Sequence, residues 1–159
     1  MIESILVPKD RVNVIKDRVT KEKIEKETRV KLSFDENSIL IEGEGLDLLT
    51  AMNIVKAISR GFAPEKAYRL LSEEELFDII DIDYGPKKAK MIKARLIGTG
   101  GKTRRMIEEF SGSSMSVYGK TVSIIGKYEQ NAIAKEAIQK LLEGASHAHV
   151  YKFLFETRS

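Results

Sequence analysis

The chain has no cysteine, which excludes disulfides, thiol catalysis and zinc–cysteine sites. It has two histidines, too few for a histidine-rich metal centre. No apolar run approaches the ~20 residues of a transmembrane helix. The opening MIESILVPKD has neither a basic stretch nor a long apolar core and does not read as a signal peptide. A soluble, cytoplasmic protein is expected. A dominant charge is missing too: 27 Lys and Arg face 24 Asp and Glu, for a net charge of +3. Taken whole, that near-balance does not suggest a nucleic-acid binder.

What is present is 159 residues, 42% of them apolar. That is enough for a packed core in one or two small domains. The charge is unevenly placed. Residues 1–75 carry 13 basic and 15 acidic residues, and residues 76–159 carry 14 and 9. The halves are therefore −2 and +5. The excess gathers between Pro86 and Arg105, where Lys87, Lys88, Lys90, Lys93, Arg95, Lys102, Arg104 and Arg105 meet no acid. A scattered charge run is usually a solvated helix face. This one is unopposed and encloses a glycine cluster, which favours an anionic partner.

The halves also resemble each other at an offset of 83 residues. Thr20 falls on Thr103, Ile24 on Ile107, Gly43 on Gly126, Ala51 on Ala134, Gly61 on Gly144 and Tyr68 on Tyr151. Each match is weak alone, and together they indicate a duplicated domain. In the second copy, residues 77–82 read as a strand, 87–97 and 102–110 as helices, 115–117 and 122–124 as a hairpin, and 129–142 as a helix. Residues 149–155 read as one or two further helical turns. The first copy repeats this with strands at 2–7, 29–34 and 38–42, and helices over 11–28 and 46–60. Ser72-Glu73-Glu74-Glu75 has the spacing of a capping box and marks the junction. The expected fold is α+β: two tandem units of order β-α-α-β-β-α, each a three-stranded sheet packed by helices, covering 1–75 and 76–159.

The most informative string is Ile97-Gly98-Thr99-Gly100-Gly101-Lys102-Thr103. Glycine inside a helix costs ~0.5–1 kcal/mol relative to alanine, so three between two helical stretches serve the backbone. The next helix starts at once, and its N–H groups and positive dipole end suit a phosphate. A P-loop would need glycine at position 96, where Leu96 stands, and would follow a strand rather than a basic helix. The alternative is the GxxG loop of type I KH modules, Gly98-Thr99-Gly100-Gly101, which clamps about four single-stranded nucleotides by their backbone. Its place between two helices, before a hairpin, is what makes the match specific. The expected RNA contacts are Ile97, Gly98, Thr99, Gly100, Gly101, Lys102, Arg104 and Arg105 at the loop, with Lys93 and Arg95 before it. Ile97, Met115 and Val117 are expected to line an apolar groove for the bases, with Met106 a further candidate; each of these also suits the core. Opposite this loop the first copy has Ile15-Lys16-Asp17-Arg18, with no glycine and with an acid that repels phosphate.

Beyond these residues, four strings resemble the partner-of-Nob (Dim-two) family in its short archaeal form. They are VPKDR, IGTGGKTRRMIEEFSG, SVYGKTVSIIG and LLEGASHAHVYKFL. The resemblance covers nearly all of the chain. Thr99 departs from it, standing where a basic residue is common. It implies a first KH module without GxxG, a second that keeps it, and a small-subunit ribosome-assembly factor binding the 3′ region of the small-subunit ribosomal RNA. It also implies the Nob endonuclease and the dimethyladenosine methyltransferase as protein partners. No cofactor, metal or catalytic residue is implied. Two other classes stay open. One is a protein adaptor that binds no RNA. The other is an enzyme, either nucleotide-binding or built on His147 and His149 with Glu143 and Glu156 nearby.

Overall fold

The structure, a computed structural model, describes residues 1–158. The chain divides into two compact units, Met1–Glu73 and Glu74–Ser159.

The first unit runs β1 (Ile2–Leu6), α1 (Lys9–Lys16), α2 (Arg18–Thr28), β2 (Lys31–Phe34), β3 (Ser38–Glu42) and α3 (Gly45–Ser59). A short α4 (Pro64–Ala67) and a 3-10 turn (Tyr68–Leu71) come next. Its sheet has the order β1-β3-β2, all antiparallel. The second unit runs β4 (Leu76–Asp81), α5 (Pro86–Ile97), a 3-10 turn (Thr99–Gly101), α6 (Lys102–Ser111), β5 (Ser114–Tyr118), β6 (Thr121–Gly126), α7 (Tyr128–Leu142) and α8 (His147–Arg158). Its sheet has the matching order β4-β6-β5. Both units are thus β-α-α-β-β-α with a further helix, the α+β architecture expected from the pattern.

The helices form where apolar residues recur on one stripe. In α5 and α6, Ile92, Leu96 and Ile107 are buried and meet Val122 and Ile124 of β6 and Ile138 of α7 in one core. Val150 and Leu154, one turn apart, bring α8 into that core. This makes α8 three turns long, longer than the expected 149–155. Pro64, at the start of α4, opens the helix that the pattern missed in the first unit. Ser72-Glu73-Glu74-Glu75 heads no helix. It leads instead into the strand Leu76–Asp81, whose isoleucines favour the extended chain.

The duplication is visible in the hydrogen bonding. Leu32 pairs with Ile41 and Met115 with Ile124, an offset of 83 in both strands. Before the loop the offset changes. Ile2 pairs with Glu42 and Phe77 with Ile125, so the first strands match at 75. An arginine clasp then recurs at 84. Arg11 donates to the Ile58 and Phe62 carbonyls at 2.9 and 2.8 Å. Arg95 donates to the Leu141 carbonyl at 2.9 Å and to that of Ala145. The second unit therefore carries nine residues more between its first strand and its clasp. Most are spent on α5, which starts nine residues before Arg95, whereas α1 starts two before Arg11.

Candidate nucleic-acid interface

The glycine loop is a sharp break between α5 and α6. Gly98 ends α5 with φ +76° and ψ 172°. A Cβ there would stand 2.2 Å from Thr103 Oγ1 and 2.8 Å from Thr103 N. Backbone angle and close packing therefore both demand glycine at this position. Gly100 and Gly101 come next in the left-handed region, at φ +61° and +79°. Gly100 is exposed, and nothing lies within 4 Å of the place its Cβ would take.

The loop's hydrogen bonds show which groups are left for a ligand. Gly98 N–H donates to the Ala94 carbonyl, Gly101 N–H to Gly98 and Lys102 N–H to Thr99. Among the described residues no carbonyl accepts from the N–H of Thr99 or Gly100. Successive free N–H groups at a helical-to-left-handed turn form an anion-binding nest. The N-terminal end of α6 adds its dipole.

The basic residues sort into distinct groups. Lys90 and Lys93 share with Pro86 and Ile97 a stripe of α5 at intervals of four, three and four residues, and the stripe leads to Gly98. Pro86, Ala89, Lys90 and Lys93 form one wall of an open cleft of about 360 Å³. Gly119 and Lys120, from the β5–β6 turn, form the other wall. Lys87, Lys90 and Lys93 have no ion-pair partner among the described residues. Arg105 lies at the loop and donates to the Gly100 carbonyl at 2.6 Å. The exposed Lys102 places Nζ 5.4 Å from the centre of the Tyr151 ring. Arg104 pairs with Glu108 at 3.3 Å.

Four of the expected residues sit differently. Arg95 turns away from the loop to the Leu141 and Ala145 carbonyls at the end of α7. Because Arg11 does the same in the unit without a loop, this arginine serves the fold. Met115 is buried in the core, so it has no side-chain surface for a base. Val117 and Met106 are half-buried and packed on that core. Lys90 was named only as part of the basic run, and Lys120, Pro86, Ala89 and Gly119, which line the cleft with it, were not among the expected contacts. The stripe through Lys90 was readable from helical spacing. The opposing wall at Gly119 and Lys120 was not, since only tertiary packing brings the hairpin turn to α5.

The first unit has neither feature. A single residue, Asp17, separates α1 from α2, and its carboxylate accepts from Thr20 N at 3.4 Å to cap α2. Of the α5 residues that wall the cleft, Pro86, Ala89 and Lys90 fall within the nine residues the first unit lacks, and Lys93 matches Lys9 at the start of α1.

The residues of the enzyme reading do not gather. His147 faces the Arg95 carbonyl, and Glu143 accepts from Gln139. Among the described residues no group of three or more His, Asp or Glu side chains is placed to hold a metal ion. Among the described residues no helix is long and apolar enough to cross a membrane.

Two three-stranded β-α-α-β-β-α units, one with a glycine loop between its first helices, define a tandem type I KH protein. The comparisons agree. Residues 73–159 match the model of the eukaryotic-type KH domain (KH-domain type I). The chain belongs to the partner-of-Nob family, that of PNO1 and Dim2p. A KH domain-containing protein of Methanocaldococcus jannaschii is 46% identical, over 99% of this chain and 74% of the relative. The pre-rRNA-processing protein PNO1 of Chaetomium thermophilum is 31% identical over 81% of this chain, and the match spans about half (51%) of that relative. The aDim2p chain in the crystal structure of an a/eIF2alpha–aDim2p–rRNA complex from Pyrococcus horikoshii OT3 superposes with a TM-score of 0.92. It is 41% identical, and the match covers 99% of this chain and 94% of that one.

Proposed function

We propose that this chain is an RNA-binding factor of small-subunit ribosome assembly. Its second unit grips single-stranded RNA from the 3′ region of the small-subunit ribosomal RNA. One observation carries the reading: an exposed glycine loop with two unpartnered N–H groups, set at a helix start beside a lysine-walled cleft. The phosphodiester lies on Thr99, Gly100 and Gly101, and Lys102 and Arg105 supply charge. The strand then tracks the Ile97, Lys93 and Lys90 stripe toward Lys120. The Pyrococcus neighbour's rRNA complex and the pre-rRNA-processing name of the Chaetomium relative support this reading.

The mechanism is binding and presentation, with no chemical step. The first unit, lacking the nest and the cleft wall, makes protein contacts. The family resemblance suggests the Nob endonuclease and the dimethyladenosine methyltransferase as partners. Crosslinking the protein in native cell extract and sequencing the attached RNA tests the assignment. Enrichment of the small-subunit 3′ region is expected. Crosslinks spread evenly over ribosomal RNA would overturn the target, and the absence of any RNA would favour an adaptor.

A further inference from the structure

The last helix of the second unit is fastened to both ends of the glycine loop. His147 opens α8, and its Nε2 lies 3.0 Å from the Arg95 carbonyl oxygen. A carbonyl only accepts, so Nε2 carries the proton and donates it. One turn on, the Tyr151 ring stacks on His147 with centroids 6.0 Å apart and planes at 14°. Tyr151 also bonds Thr103 through its hydroxyl, at 2.9 Å. Thr103 is the residue on which Gly98 packs.

The repeat separates what the fold requires from what the loop requires. Tyr68 and Thr20, 83 positions before Tyr151 and Thr103, are hydrogen-bonded in the same way. The arginine clasp is likewise present in both units. The histidine is not. At the matching position the first unit has Pro64, which offers no side-chain donor. The His147 bond is thus confined to the unit that bears the loop.

The Arg95 carbonyl is the acceptor that the Thr99 N–H would take if α5 ran on, since each helical N–H reaches back four residues. His147 occupies it instead, and the Thr99 N–H is left without a partner in the chain. We propose that His147 is a positioning residue for the RNA loop. By taking the Arg95 carbonyl it ends α5 at the glycines and turns the Thr99 N–H outward to the phosphate. This inference rests on the reading that the loop grips RNA.

Two variants separate this role from plain packing. His147→Phe keeps a ring on Tyr151 and removes the donor; His147→Gln restores an N–H with the reach of Nε2. Binding of an oligoribonucleotide from the small-subunit 3′ end is measured where both variants are folded. Exchange of the Thr99 amide is tracked by NMR. The phenylalanine variant is expected to bind about fivefold more weakly, the worth of one hydrogen bond, and to protect the Thr99 amide. The glutamine variant is expected to bind within about twofold of the parent. Parent-like binding by His147→Phe, or equal losses in both variants with the Thr99 amide unchanged, would overturn the proposal. The same RNA is also tested on the Gly100→Asp, Gly101→Asp protein. If that protein binds normally, the RNA reading itself fails. If it does not bind while His147→Phe does, only the role of His147 falls.

Discussion

Replacing Arg95 by alanine tests whether this arginine serves the fold or the ligand. Its guanidinium donates to two backbone carbonyls, of Leu141 in the last turn of α7 and of Ala145 just past it. A hydrogen bond from a charged donor contributes about 1.5–3 kcal/mol when buried. Arg95 is half-buried, so we take about 1 kcal/mol for each bond. A cation at a helix C-terminus adds ~0.3–1 kcal/mol. Arg95→Ala should therefore cost the second unit about 2–3 kcal/mol. Urea unfolding monitored through second-unit NMR signals, such as those of the core residues Ile124 and Ile138, isolates that unit. RNA affinity at 25 °C should stay within about twofold of the parent, with an unchanged dependence on salt. Arg11→Ala is the matched control, with a similar loss confined to the first unit and no effect on RNA. The reasoning is refuted if Arg95→Ala leaves stability intact while affinity falls and the salt slope shrinks by about 0.7, the mark of one lost phosphate contact.

Gly98→Ala drives a Cβ to 2.2 Å from Thr103 Oγ1 at φ +76°. It should cost about 1–3 kcal/mol in stability and weaken RNA binding about tenfold or more, read by thermal melting and fluorescence anisotropy. Lys90→Ala and Lys120→Ala, on opposite walls of the cleft, should each reduce the salt slope of binding by about 0.7 without changing stability; an unchanged slope in both would remove the cleft from the RNA path. Burial raises the Tyr68 hydroxyl above its usual range; the Thr20 bond acts the other way, and Glu65 and Asp17 add to the rise. The neutral form is favoured in the folded unit, so that stability is whole below about pH 10 and falls as pH climbs through the raised value. Tyr68→Phe should flatten this decline in alkaline urea titrations.

The local patterns were legible in the chain because they obey local rules. Met115–Ile124 pairing comes from alternation and a two-residue turn, and the loop comes from three glycines between amphipathic stretches. Arg95 was misread because its charge is counted in sequence while its direction is set by tertiary structure: the same spacing serves a phosphate or a carbonyl across the domain. The matching Arg11 clasp was a findable signal, but it lies at 84 rather than at the offset of 83 that the other matches share. The long α5 was itself legible at 87–97, but its excess over α1 was hidden for the same reason. A constant offset assigned the difference between the units to lost glycines alone. The structure adds that the first unit also lacks the two turns of helix that carry Pro86, Lys87, Lys88, Ala89 and Lys90.

The near-neutral total charge is the sum of −2 and +5 in the two halves, and the proposed function assigns the anion to the second. The most direct test of that division is RNA binding by the Gly100→Asp, Gly101→Asp protein. Neither side chain meets backbone, since Gly100 faces open space and Gly101 meets only the flexible end of Arg105. The pair places two negative charges on the proposed phosphate nest. We predict loss of single-stranded RNA binding at moderate salt, with the NMR spectrum of the second-unit core unchanged. Parental affinity in a folded double variant would contradict the account.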